Sequence, residues 1–190
     1  MSKPKLYMMC GLSGSGKTTF ATEYARANHL RYINPDQFYG MYNGDECSHY
    51  NEFEIWMALF RALHMAEQEG VSVIFDTNAL TVVDRTQILN WFPGFQHILI
   101  YIQADTELCL RNNASRRRVV PEHIMKKMID RFEPPTKDED PRWTVMCIYR
   151  NRDNTGFTCE NIFTVEKSCD NCRDGCKGFA SPCPWWRPIE

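Results

Sequence analysis

A chain of 190 residues, 43% of them apolar, is long enough to bury a full core and fits one domain of ordinary size. A net charge of −2 excludes a global basic field, so any contact with nucleic acid must come from a local patch. The longest apolar runs, such as HILIYI, fall far short of the roughly 20 residues that a membrane span needs.

In chain order, short β-rich runs alternate with helical patterns. MSKPKLYMMC passes directly into a first strand with no secretory signal, which reads as a cytoplasmic protein with reduced thiols. A helix follows from Lys17 to about Asn28, and then the strand LRYIN. Phe53, Trp56, Met57, Phe60, Leu63 and His64 recur at i, i+3, i+4 spacing, which predicts a helix over 51–69. VSVIFD and HILIYI read as strands, separated by a short helix over 81–91 and the Pro93-Gly94 turn. Helices over about 105–115 and 121–132 come next, the second opening at Pro121. The polar connection EPPTKDEDPR then leads to a last strand, WTVMCIYR. Such alternation predicts βαβ units in an α/β fold, with a mostly parallel sheet covered on both sides. Periodicity fades after Asn151, which divides the chain into an expected core over 1–150 and an extension over 151–190.

The stretch MMCGLSGSGKTTF carries Gly11, Gly16, Lys17 and Thr18 in the spacing G-x-x-x-x-G-K-[ST]. Glycines let the backbone wrap closely around phosphate oxygens, and N–H groups at the start of a helix point inward at them. The expected ATP-binding set is Gly11, Leu12, Ser13, Gly14, Ser15, Gly16, Lys17, Thr18 and Thr19. Lys17 would reach the β/γ-phosphates, and the Thr18 hydroxyl would help hold Mg²⁺. A regulatory GTPase should also carry a guanine-reading N-K-x-D. The nearest stretch, TKDE, ends in glutamate and lies in the proline-rich connection, so the remaining features favour transfer of the phosphoryl group to an acceptor.

Three segments bear on that transfer. RYINPDQFYG brings Asp36 to the strand edge where the phosphate loop lies, in position to accept the proton of an attacking hydroxyl. An aspartate after proline is also a common turn residue. VIFDTNAL delivers Asp76, Thr77 and Asn78 to the same edge, where Asp76 could orient an acceptor or a magnesium water, or the segment could simply cap a helix. LRNNASRRRVVP sets Arg111, Arg116, Arg117 and Arg118 beside a helix end, either as a lid over the triphosphate or as a solvated charge run.

In this order, GLSGSGKTT, INPDQF, FDTNAL and LRNNASRRRVVPEHIMKKMIDRFEPP resemble the polynucleotide 5′-hydroxyl kinase family and its relatives among small AAA-type, ATP-binding P-loop kinases. The resemblance covers about residues 5–135 and implies a P-loop NTPase three-layer sandwich. It places the general base on Asp36, acceptor binding on Asp76 and Asn78, and the donor-phosphate contact on Arg116, with Arg117 one register away. It departs at Tyr39, where polynucleotide kinases often carry an arginine that grips the acceptor's 3′-phosphate. Tyr39, Tyr42 and Tyr50 either stack an acceptor base or cover the second helix. The implied activity is ATP-dependent transfer of the γ-phosphate to a hydroxyl, first of all a nucleic-acid 5′-OH. A small-molecule or nucleoside hydroxyl is the alternative acceptor, and a nucleotide-binding regulatory module without transfer is the alternative outside enzymes.

Nine cysteines are present, and four crowd the last 22 residues: Cys169, Cys172, Cys176 and Cys183, spaced C-x₂-C-x₃-C-x₆-C. The spacing suits a tetrahedral zinc site, with reduced thiols, disulfides or a cluster as the other readings. Trp185 and Trp186 could pack this tail on the core or stack on nucleic acid.

Overall fold

The computed structural model describes residues 3–46, 50–136, 138–150 and 156–160. The four clustered cysteines, and with them the zinc reading, lie outside the described residues. So do Trp185 and Trp186.

The sheet has six strands in the order β2-β3-β1-β4-β5-β6. They are β1 (Lys5–Cys10), β2 (Arg31–Ile33), β3 (Val73–Phe75), β4 (Gln96–Gln103), β5 (Trp143–Arg150) and β6 (Phe157–Glu160). The first five are parallel, and β6 returns antiparallel along β5. Parallel strands buried on both faces need apolar residues of both parities. In β1, Leu6, Met8 and Cys10 enter one core while Tyr7 and Met9 enter the other. In β4, Leu99 and Tyr101 face the first core, and Ile98, Ile100 and Ile102 the second.

The helices complete the sandwich. They are α1 (Lys17–Ala27), α2 (Pro35–Asn43), α3 (Glu52–Glu69), α4 (Val82–Trp91), α5 (Thr106–Ser115) and α6 (Glu122–Arg131). From α1, Phe20, Ala21, Tyr24 and Ala25 cover one face of the sheet. Leu59, Leu63 and Ala66 of α3, with Ile88 and Leu89 of α4, cover the other. Cys10, Cys109 and Cys147 are buried cysteines outside any disulfide, and burial pushes the Cys10 thiol up to about 12, which keeps it inert.

Two elements go beyond the sequence reading. The segment after LRYIN is a helix, α2, rather than a turn. Asn34 is its N-cap, accepting the Asp36 N–H at 2.7 Å, and Pro35 occupies the first turn, where its missing N–H costs nothing. The sheet also continues past residue 150 through β6, whose Phe157 packs edge-on against Phe20 with ring centroids 5.6 Å apart.

One buried ion pair fixes the loop that follows β3. Arg85 of α4 is 0% exposed and donates to Glu139 at 2.6 and 2.5 Å, and to the Ala79 carbonyl at 2.9 Å. Cys10 Sγ donates to that same carbonyl at 3.3 Å. Ala79 has φ 45°, a left-handed conformation that a non-glycine residue holds only when its surroundings insist on it. The polar connection EPPTKDEDPR therefore acts as a strap: its Glu139 neutralises Arg85, and Arg85 holds the turn that presents Thr77 and Asn78. Arg85→Ala should destabilise the protein by about 3–5 kcal/mol in urea unfolding, because it strands the Glu139 carboxylate. An Arg85→Met, Glu139→Leu double variant should recover most of that loss. A single variant as stable as the parent would show that the pair does not hold the strap.

Candidate active site

The phosphate loop joins β1 to α1, and its glycines are dictated by contact. Gly14 has φ 84°, and a Cβ there would lie 2.3 Å from the Cys109 carbonyl oxygen of α5. Gly16 has φ 97° and faces the Phe157 ring, 3.0 Å from where a Cβ would sit. Asn112 of α5 donates to the Gly14 carbonyl at 2.8 Å, and the Gly11 N–H donates to the Asn78 carbonyl at 3.1 Å. The loop is thus clamped from α5, from β6 and from the segment after β3. Helix α1 starts at Gly16 with no side-chain cap, so its first N–H groups are presented to the loop. Ser15 Oγ is buried and has no hydrogen-bond partner among the described residues. A backbone cradle with an orphaned buried hydroxyl and an uncapped helix start fits a phosphate group.

Lys17 is buried at 6% exposure and donates to the Leu12 carbonyl at 2.8 Å. Burial pushes its ammonium below the ordinary lysine range, the Asp76 carboxylate pulls it back up, and the charge of Arg116 pushes it down again. Arg116, exposed at the end of α5, is therefore within electrostatic reach of the loop lysine.

Asp36 and Asp76 stand on neighbouring strand ends, after β2 and β3, and one residue joins them. Asn34 accepts the Asp36 N–H through Oδ1, while its Nδ2 donates to Asp76 Oδ2 and to the Tyr32 hydroxyl, each at 2.9 Å. Tyr32 in turn donates its hydroxyl to Asp76 Oδ2 at 2.7 Å. Burial and the adjacent Asp76 charge push the Tyr32 phenol up, so it remains a donor across the working pH range. Asp76 Oδ1 takes no hydrogen bond among the described residues. Sequence reasoning missed Tyr32 and Asn34, although Asn-Pro ahead of an aspartate is a helix-start signal.

The arginine segment divides its work. Its ends are pinned, because Asn113 donates to the Val120 carbonyl at 2.8 Å and accepts the Val120 N–H at 2.9 Å. Within the loop so closed, Arg118 pairs with Asp36 at 2.8 Å and approaches Glu46 at 3.8 Å, while the charge of Arg116 reaches Lys17 only weakly. Arg117 is exposed. The sequence singles out Arg116 and Arg117 and gives no reason to choose Arg118. Its partner becomes apparent only once α2 exists.

Tyr39 is corrected by the structure. It is 5% exposed and donates to Glu52 at 3.2 Å, so its ring is spent on α2–α3 packing and has no open face for a base. Tyr42 and Tyr50 are exposed.

The Lys17 shift carries a sign that can be measured. A lysine whose folded pKa lies below its unfolded value of 10.5 costs folding free energy at neutral pH, and that cost lifts as pH climbs from the lowered pKa toward 10.5. Lys17→Met should therefore raise the melting temperature of the nucleotide-free protein at pH 7 while removing ATP binding. In the parent, ATP affinity should fall as pH rises through the alkaline range below 10.5, because the free protein gives up the Lys17 proton there. An affinity that stays flat to pH 10.5 would show that Lys17 does not meet the phosphates.

Solved structures share this architecture. A candidate kinase from Chloroflexus aurantiacus superposes with a TM-score of 0.61 at 18% identity, over 81% of this chain and 92% of that one. A sugar kinase from Janibacter gives 0.55 at 22%, over 77% and 86%. A chain of the Pnkp1/Rnl/Hen1 RNA repair complex gives 0.62 at 19%, over 69% of this chain and 44% of that one. The likeness is of fold, a P-loop kinase sandwich. A family model described as an AAA domain matches residues 6–135, from the first strand to the segment beyond α6, and the chain therefore belongs to that AAA domain family.

Proposed function

We propose that the protein is an ATP-dependent phosphotransferase that moves the γ-phosphate to an acceptor hydroxyl, with a nucleic-acid 5′-OH as the first acceptor class. The observation that carries this reading is the pairing of Asp36 with Arg118 at 2.8 Å, on the sheet edge that also carries the Lys17 loop. A turn aspartate needs no such partner. A carboxylate whose backbone N–H is held by Asn34, the residue that also donates to Asp76, and which faces an arginine loop near the donor lysine, suits proton abstraction beside a phosphate. The RNA repair complex among the similar structures supports the nucleic-acid acceptor.

In this reading Lys17 and the loop N–H groups from Gly11 to Thr19 hold the donor phosphates, and Arg116 stabilises charge as it develops on them. Thr18 would hold Mg²⁺, which neutralises phosphate charge when bound. Asp76, fixed by Tyr32 and Asn34, orients the acceptor together with Asn78. Asp36 takes the hydroxyl proton as the acceptor oxygen bonds to the γ-phosphorus and the bond to the β-phosphate oxygen breaks, leaving ADP. Before that step Arg118 must leave Asp36 or share it, so that a carboxylate oxygen is open to the acceptor hydroxyl.

A second reading, a kinase for a small hydroxyl compound, is favoured by the sugar kinase and the Sinorhizobium meliloti gluconokinase among the similar structures. A labelled-ATP acceptor screen separates the two. Oligonucleotides with a free 5′-OH should be phosphorylated, with an apparent KM that rises with salt as phosphate contacts release counterions. Asp36→Asn should keep ATP affinity and slow transfer by about 10²–10⁴-fold. Arg116→Ala should mainly lower kcat. Transfer only to small polyols would replace the acceptor class, and no transfer to any hydroxyl would leave a nucleotide-binding module.

A further inference from the structure

A cavity of about 470 Å³ opens between α3 and α4, on the face of the sheet opposite α1. Thr77 and Asn78 form part of its wall, so it is continuous with the segment that carries Asp76. We infer that this cavity receives the terminal nucleobase of the acceptor, held between aromatic side chains and read by the Asn78 and Gln87 amides. The inference rests on the phosphotransferase reading above and narrows its acceptor.

Three features select that occupant. The first is charge. Among the described residues that line the cavity there is no lysine, arginine or histidine, and its one carboxylate, Asp84, is engaged in accepting the Thr81 N–H at 3.0 Å. An anionic group such as a phosphate or a carboxylate finds no counter-charge there, whereas a neutral ring needs none.

The second is aromatic surface. Trp56, Phe60 and Trp91 line the space, with Phe60 set edge-on to Trp91 at 4.8 Å between centroids and tilted against Trp56 at 5.7 Å. Rings arranged this way accept a planar heterocycle by stacking, whatever its sequence identity.

The third is unspent polarity. The side chains of Thr77, Asn78 and Gln87 make no hydrogen bond within the described residues, yet they converge on one cavity. Each amide offers a donor and an acceptor, the complement of a base edge. The volume lies within the range of small-molecule sites and suits a single base.

The test compares oligonucleotides whose 5′-terminal nucleotide carries a base or is abasic. The abasic end should lose about 5- to 150-fold in kcat/KM, the worth of one stacked base. Gln87→Ala, an exposed position outside the core, should lower kcat/KM on the intact end and lose much less on the abasic one. A second arm does not depend on transfer. With ADP saturating the donor site, equilibrium dialysis should detect cytidine or adenosine binding that Gln87→Ala and Trp91→Ala weaken. Nucleoside binding without phosphorylation of any oligonucleotide would sink the acceptor reading and keep the cavity. Equal transfer to abasic and intact ends would overturn the inference. So would the absence of nucleoside binding where no oligonucleotide is phosphorylated.

Discussion

A lysine ammonium withdrawn from water is the constraint around which this protein is arranged. Lys17 is held by one carbonyl at 2.8 Å and by the field of Asp76, and burial still weakens its hold on the proton. A buried charge without a close counter-ion is costly to hold. The rest of the edge compensates for it. Asp76 is kept in place by Tyr32 and Asn34, the loop is clamped by Cys109 and Asn112 of α5, and β1 is centred between β3 and β4 so that the loop cannot shift. A triphosphate arriving at the loop would supply the missing opposite charge, so donor binding and relief of this cost are one event.

The arginine loop connects that event to the acceptor half. Because Asn113 pins Val120 in both directions, residues 114–119 form a short closed loop and cannot drift as a flexible tail would. The charge of Arg116 reaches Lys17 weakly, and Arg118 grips Asp36 from the same loop. On the proposed phosphotransferase reading, a phosphate at Lys17 would offer both arginines a competing anion. On that reading, movement of Arg118 toward that phosphate would open the candidate base with no long-range change of fold.

How much of this was legible follows from where each signal resides. The phosphate loop, the parallel strands and α1, α3, α4, α5 and α6 are visible because the motif has fixed spacing and apolar periodicity is local. Helix α2 was missed because nine residues containing Gly40 give little periodicity, although Asn34-Pro35 marked its start. β6 is four residues long and is defined by pairing with β5 rather than by its own pattern. The same reason hid Arg118, whose partner sits 82 positions earlier (118 − 36) on that unseen helix. Tyr39 read as a candidate platform because sequence does not say which face of α2 meets α3. Burial decides it.

The two halves of the edge differ in how they are built, and the difference bears on specificity. On the donor side, backbone lies against backbone: a Cβ at Gly14 or Gly11 would meet carbonyl oxygen at 2.3 or 2.7 Å, so little there can vary without loss of the loop. On the acceptor side the contacts are made by side chains. Asn34 joins the Asp76 carboxylate to the Asp36 backbone, Arg85 and Cys10 hold a strained Ala79, and open side chains such as Met41, Tyr42, Tyr50 and Phe53 surround α2 and the start of α3. Side-chain contacts can be exchanged one at a time while the sheet edge stays fixed. On the proposed reading, a common donor cradle can serve different acceptors, and the residues around Asp76 and the α3–α4 cavity, rather than the phosphate motif, would select among them.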